Sequence, residues 1–163
     1  MRICKLYLIV VSSIFANRLA NSTTPKLSAH SRPNVSPLFP DLILPDMVVF
    51  DLDMCMWQPE MYTLYEIPTE KSENFLIAPL LSGDDSNKSG VIGVRSGDEI
   101  IRLFPAALKI LQDFYFDKYP GMKIAVASSA DTPLAVKIGR AAMNYLEIVP
   151  GVSMRSGLFQ LFY

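Results

Sequence analysis

The stretch that decides the fold is MVVFDLDMCMW, at residues 47–57. It opens with four apolar residues that do not alternate with polar ones. This pattern is typical of a strand that is buried on both faces, as in a parallel sheet. Two acids, Asp51 and Asp53, follow where that strand should end. Because ligands of open α/β sheets bind at the carboxyl ends of the strands, the sequence predicts that both acids lie beside a functional crevice.

A second apolar run ends in a similar way, at IAVASSAD in residues 124–131. Ser128 follows the predicted strand and comes shortly before a predicted helix. Hydroxyl groups and helix N-terminal N–H groups together bind phosphate, so Ser128 and Ser129 are candidate phosphate ligands. The alternative is that the two serines only cap the helix, a role for which Asp131 and Thr132 are also suited.

The rest of the domain alternates strands with helices. Residues 91–95 and 99–104 flank a short Gly-containing turn, which predicts a β-hairpin. Residues 58–90 are polar and interrupted by prolines, and the composition of residues 83–87 predicts a loop there. Two helices and one more strand complete the prediction: a helix from Pro105 to the Pro120-Gly121 pair, a helix from Pro133 to about residue 145, and a short strand at 146–149. Such alternation predicts a parallel α/β sheet.

The two acids suit one kind of chemistry in particular. A carboxylate can attack phosphorus to form an aspartyl-phosphate, which makes Asp51 a candidate nucleophile. A second carboxyl group can protonate the leaving oxygen and later deprotonate water, which suits Asp53. Mg²⁺ prefers oxygen ligands and neutralises phosphate charge. The alternative is that both are ordinary loop acids, since Asp-x-Asp alone is a common pattern.

Three segments, in order along the chain, resemble one family. VVFDLDMCMW at 48–57 looks like the first motif of the magnesium-dependent phosphatase family, a branch of the haloacid dehalogenase (HAD) superfamily. The hairpin before residues 103–105 is similar to the segment that precedes a helix in that family, and IAVASS at 124–129 resembles its second motif. The resemblance implies a HAD-like Rossmannoid fold, in which helices flank a parallel sheet and a small β-hairpin forms a flap.

The resemblance also implies roles for single residues. Asp51 would be the nucleophile and a Mg²⁺ ligand, and Asp53 would be the general acid/base and would bind Mg²⁺ through its backbone carbonyl. Ser128, with Ser129 beside it, would hold the transferred phosphoryl group. The substrates implied are phosphomonoesters, either protein phosphotyrosine or sugar phosphates, so the partner would be a small phosphorylated molecule or a phosphoprotein.

The chain departs from the family pattern in three places. Cys55 stands where Thr is usual and is interpreted as a packed small side chain. Ser129 stands where Arg is frequent. No Lys and no acidic pair match the third and fourth motifs, and no acid follows Glu147. We therefore expect a partial phosphatase domain at 45–163, incomplete at its C-terminus, with weak Mg²⁺ binding and impaired activity. A non-catalytic phosphate-binding or interaction module with a degenerate HAD-like fold is the alternative, and an unrelated secreted structural protein is the least favoured.

Composition excludes several other classes. A formal net charge of −1 argues against non-specific binding to nucleic acid. The single histidine, His30, precedes the predicted domain, which leaves no base for a Ser-His-Asp or Cys-His site and no ligands for a His-rich zinc site. Two cysteines, Cys4 and Cys55, make no disulfide framework.

The first 44 residues are predicted to be a targeting region. Residues 1–20 combine early positive charge, a short apolar run and small residues for cleavage, which is the pattern of a signal peptide. The apolar run is too short to span a membrane stably, although an uncleaved anchor remains the alternative. Residues 21–44 are rich in Ser and Pro and form a linker or a transit-like segment. The chain is thus expected to enter the secretory pathway and to be secreted or sent to a secondary plastid.

Overall fold

The computed structural model describes residues 45–80, 88–130 and 132–157. The predicted signal peptide and the segment at 21–44 lie outside these residues and stay predictions. Within the described ranges, no helix is both long enough and apolar enough to cross a bilayer. The elements in chain order are β1 (Met47–Asp51), β2 (Trp57–Gln58), β3 (Phe75–Pro79), β4 (Ser89–Ser96), β5 (Glu99–Leu103), α1 (Pro105–Tyr115), β6 (Lys123–Ala127), α2 (Pro133–Tyr145), β7 (Glu147–Val149), β8 (Val152–Ser153) and α3 (Met154–Gly157).

The two apolar runs form the predicted pair of parallel strands. β1 lies beside β6, with Met47 opposite Lys123 and Asp51 opposite Ala127. The middle of β6 is fully buried, which is the environment that its unbroken apolar pattern predicts. In the part of the chain that the structure describes, this sheet has two strands. Its main consequence is that the segments after β1 and β6 leave the sheet at the same edge.

The predicted hairpin is confirmed, but it is not an isolated flap. β4 and β5 pair antiparallel around Gly97, whose φ of +60° suits the first central position of a tight hairpin turn. They form the middle of a four-stranded antiparallel sheet in the order β2-β5-β4-β3. The polar stretch at 58–90 thus contains a strand, β3, that the sequence analysis did not predict, while the loop predicted at 83–87 lies outside the described residues. Pro79 ends this edge strand, where a missing N–H is tolerated.

Both long helices begin where the prolines predicted. Pro105 opens α1 and Pro133 opens α2, and the Thr132 hydroxyl accepts a hydrogen bond from the Ala135 amide at 3.1 Å. Thr132 is thus the cap of α2, while Asp131 lies outside the described residues. α1 ends earlier than predicted, at Tyr115, before Asp117 adopts a positive φ of 54°.

The short strand predicted at 146–149 exists as β7, but it does not extend the parallel sheet. It pairs antiparallel with β8 after a turn at Gly151. The buried side chain of Gln112 on α1 connects this region to the end of β3. Its Nε2 donates to the carbonyl of Leu80 at 2.8 Å and to that of Ile148 at 2.9 Å.

One hydrophobic core joins the parallel pair, the antiparallel sheet and the helices. Its largest fully buried side chains are Leu52, Met56, Trp57, Met61, Val94, Ile101, Leu111, Ile138, Met143, Leu146, Ile148 and Met154. Several of them belong to the segment immediately after β1. The two acids at the end of β1 are therefore attached to a packed core rather than to an open loop.

Candidate active site

The parallel register brings the two predicted motifs together. Asp51 ends β1 opposite Ala127, which ends β6. Adjacent strands lie about 4.8 Å apart, so Ser128, the next residue, leaves the sheet beside Asp51. Asp53 is close enough to Asp51 for the negative charge of Asp51 to affect its pKa, and Ser129 follows as an exposed residue. All four predicted site residues thus lie at one edge of the sheet, while their roles stay predictions.

A tight turn follows Asp51 and holds the chain against the core. The carbonyl of Leu52, a fully buried residue, accepts from the amides of Met56 at 2.9 Å and Trp57 at 3.1 Å. Met54 has a positive φ of 56° and is exposed. A left-handed conformation costs a residue with a Cβ about 1–2 kcal/mol, so surrounding contacts must hold it. The turn therefore sets the position of Asp53 relative to the end of β1.

The Asp51 carboxylate is half-buried and bound on one side. Its Oδ1 accepts the backbone N–H of Leu52 at 2.8 Å. Burial raises the pKa of Asp51 above its ordinary value of 3.8, and the hydrogen bond from Leu52 acts in the opposite direction. A partly desolvated carboxylate fixed by one hydrogen bond is well suited to act as a nucleophile or as a metal ligand.

The Asp53 carboxylate is bound on both sides. Oδ1 accepts the indole N–H of Trp57 at 2.9 Å, and Oδ2 accepts the amide of Met61 at 3.2 Å. Burial raises the pKa of Asp53, the two donors lower it, and the nearby charges of Asp51 and Glu60 raise it further. A raised pKa suits a carboxyl group that must carry a proton to a leaving oxygen. Sequence reasoning quoted Trp57 in the motif but missed its contact with Asp53.

Ser128 does not cap the helix, which answers the alternative raised by the sequence. Its Oγ accepts the amide of Ala130 at 3.2 Å, and Thr132 caps α2 instead. The phosphate cradle differs from the predicted one, because Pro133 has no N–H and the Ala135 amide is bound to Thr132. A phosphoryl group beside Asp51 would therefore meet the Ser128 hydroxyl and the turn that follows it, rather than these first-turn amides.

A cavity of about 90 Å³ lies next to Ser128. It is bounded by Leu52, Met61, Ser128, Ala130, Val136, Gly139 and Arg140. Val136, Gly139 and Arg140 are three and four residues apart and so share one face of α2. Sequence reasoning missed Arg140, although this helical spacing after the second motif was visible. The cavity is mainly apolar and has one cationic residue in its wall.

The site offers few protein ligands for Mg²⁺. The predicted ligands are the carboxylate of Asp51 and the backbone carbonyl of Asp53. Within residues 45–80, 88–130 and 132–157, no group of three or more His, Cys, Asp or Glu side chains is arranged to hold a metal. Mg²⁺ keeps several waters and is often bound by one or two carboxylates together with substrate phosphate. The residues present fit such a site, completed by water and phosphate rather than by further protein ligands.

Comparison with known families agrees with this geometry. The family model described as Acid Phosphatase matches residues 43–162, which is most of the chain. The chain belongs to the acid phosphatase family. This is a HAD-like family of magnesium-dependent phosphatases, so the resemblance drawn from the motifs is confirmed. Acid phosphatase membership assigns the chain as a hydrolase. Comparison with curated proteins and with solved structures gave no match.

Proposed function

We propose that this domain has a HAD-like fold and hydrolyses phosphomonoesters through an aspartyl-phosphate intermediate, with Mg²⁺ as its cofactor and with impaired activity. The observation that carries the proposal is the pairing of Asp51 with Ala127 in parallel strands. This pairing brings the Asp51 carboxylate and the Ser128 hydroxyl to the same edge of the sheet, where one phosphoryl group can contact both. Family membership supports the reaction class.

In the first step, an oxygen of Asp51 attacks phosphorus and the ester P–O bond breaks. Oδ1 is bound to the amide of Leu52, so Oδ2 is the oxygen that we assign to the attack. Asp53 gives its proton to the departing alkoxide or phenoxide oxygen. In the second step, water attacks the phosphoryl group, Asp53 takes the proton of that water, and the bond between phosphorus and Asp51 breaks to release phosphate.

Positive charge and hydrogen-bond donors are needed around the phosphoryl oxygens. The Ser128 hydroxyl accepts from Ala130 and still has its own proton to donate to a phosphoryl oxygen. Mg²⁺, held by the Asp51 carboxylate and the Asp53 carbonyl, would supply charge neutralisation on the phosphoryl group. With few protein ligands among the described residues, we expect the affinity for Mg²⁺ to be low in the absence of phosphate.

The substrate proposal keeps both classes that the resemblance implied, protein phosphotyrosine and sugar phosphates. The cavity beside Ser128 has room for part of the leaving group of the substrate, and Arg140 adds a positive charge to the wall of the cavity. The N-terminal pattern supports entry into the secretory pathway, with secretion or a secondary plastid as the destination. We propose no nucleic-acid partner, because the chain has a net charge of −1.

A non-catalytic phosphate-binding module is the second candidate function. The observation that favours it is the sparse set of acidic side chains around Asp51 in the described residues. Such a module would bind phosphate at Ser128 and the turn after it without forming the covalent intermediate.

Turnover of 4-nitrophenyl phosphate, measured against Mg²⁺ concentration, separates the two candidates. We expect slow Mg²⁺-dependent release of phosphate that Asp51→Asn abolishes, and a phosphoryl group that can be trapped on Asp51 by acid quench and detected by mass spectrometry. Calorimetric titration with inorganic phosphate is the parallel measurement. Phosphate binding without turnover or trapping would favour the second candidate, and the absence of both binding and turnover would refute the site.

A further inference from the structure

We propose that Trp57 is a positioning residue for Asp53, and that α2 holds Trp57 and the Met61 segment in place. The inference rests on the proposed function only in so far as it treats Asp53 as the general acid/base. Its structural content is that the indole N–H of Trp57 and the amide of Met61 fix the plane of the Asp53 carboxylate.

The geometry of the two bonds is the first argument. The donors bind different oxygens of Asp53, Oδ1 and Oδ2, so rotation of the carboxylate about its last torsion would break both bonds. Each oxygen has a further lone pair, which remains to hold the proton that Asp53 donates to the leaving oxygen of the substrate. The carboxylate therefore keeps its capacity for proton transfer while its orientation is set by the protein.

The burial of Trp57 is the second argument. Its side chain is fully buried, and the indole N–H is its one polar group, which can only donate. A buried donor without an acceptor costs about 1–3 kcal/mol. Asp53 satisfies this donor, so the core favours the conformation in which the two side chains meet. A carboxyl group held by such a contact is positioned more precisely than one on a surface loop.

The third argument is the close packing of α2 at Gly139. A Cβ at Gly139 would meet Met61 Sδ at 2.3 Å and Trp57 Cζ2 at 3.8 Å. Helix α2 also follows the turn that contains Ser128. The same helix thus packs against Met61 and close to Trp57, the two residues that bind Asp53.

A catalytic test follows from what a general acid does. Departure of an alkoxide needs a proton, whereas departure of 4-nitrophenolate hardly does. Trp57→Phe keeps an aromatic ring and removes the donor. We expect kcat/KM, which reports the first step, to fall by about 10- to 100-fold for an alkyl phosphate and by less than about 3-fold for 4-nitrophenyl phosphate. The second step, in which Asp53 takes a proton from water, is the same for both substrates and does not enter kcat/KM. The core variant Leu111→Ala should lower activity on both substrates equally. Equal losses in Trp57→Phe as well would overturn the proposal.

A second test does not depend on activity. Trp57 is the one tryptophan of the chain, so its indole N–H gives a single resonance in a ¹⁵N-labelled sample. We expect Asp53→Ala to move this proton resonance upfield and to speed its exchange with solvent by about 10-fold or more, given the loss of a charge-assisted hydrogen bond. Glu60→Gln is the matched control, because it removes a nearby acid outside this contact.

The two tests separate the possible failures. If the indole responds to Asp53→Ala and not to Glu60→Gln, the positioning contact stands even when the wild-type chain shows no turnover, and the proposed function alone fails. If the shift and the exchange rate of the indole proton do not change in Asp53→Ala, the contact between Trp57 and Asp53 is refuted, whatever the activity of the chain.

Discussion

Replacing Gln112 with methionine should destabilise the domain by about 2–4 kcal/mol. The side chain is buried on α1, and its Nε2 donates to the carbonyls of Leu80 and Ile148. Methionine has nearly the same length and volume, so little packing is lost. Two net hydrogen bonds at about 1 kcal/mol each set the lower figure, and carbonyls left without a donor in a buried place add the rest.

Thermal and urea denaturation, followed by circular dichroism, measure this loss. A domain of this size loses about 3–6 °C in Tm per kcal/mol, so we expect a decrease of about 6–24 °C. Ala106→Met is the matched control, because it places methionine at an exposed position of the same helix and should change stability by less than about 0.5 kcal/mol. If Gln112→Met is no less stable than Ala106→Met, the two hydrogen bonds do not hold β7 and the end of β3 to α1.

Three further predictions concern the site. Thr132→Ala removes the cap of α2 and should lower the free energy of unfolding, measured by urea denaturation, by about 1 kcal/mol. Thr132→Ser should restore most of this loss. An unchanged midpoint in Thr132→Ala would contradict the cap. Gly139→Val should cost about 1–3 kcal/mol and shift the fluorescence of Trp57, because the new side chain meets Met61; an unchanged emission maximum would argue against the close packing. Burial raises the pKa of Asp51 in the folded state, so its ionisation weakens the fold as pH rises above the unfolded value of about 3.9. Asp51→Asn should therefore melt higher than wild type at neutral pH, and the difference should vanish as pH falls to about 3; a lower Tm at neutral pH would contradict this sign.

Local patterns were sufficient for the elements closest to the site. The unbroken apolar runs before Asp51 and Ser128 predicted two parallel strands, and the prolines at 105 and 133 predicted both helix starts. These signals are local, because strand burial and helix initiation depend on neighbouring residues in sequence. The family assignment followed from the same segments and is confirmed by the family model.

Prediction was weaker where a strand depends on its partner strand more than on its own residues. The sequence predicts no strand at Phe75–Pro79, because a proline and polar neighbours hide a strand that is stabilised mainly by β4. The strand at Glu147–Val149 was expected from its apolar residues, yet its partner, β8, could not be read from them. Strand pairing depends on which surfaces remain to be buried after the rest of the chain has packed, and a single segment does not contain that information.

The sequence by itself determined the chemistry available to this protein: two acids after one buried strand, a serine after another, and the order of motifs that identifies an acid phosphatase. Only the tertiary structure decided how those groups are held. Trp57 is four residues from Asp53 and Met61 is eight residues from it, yet both bind its carboxylate because packing against α2 brings their donors to opposite oxygens. Residue types set which bonds are possible, whereas burial and close packing set which of them form.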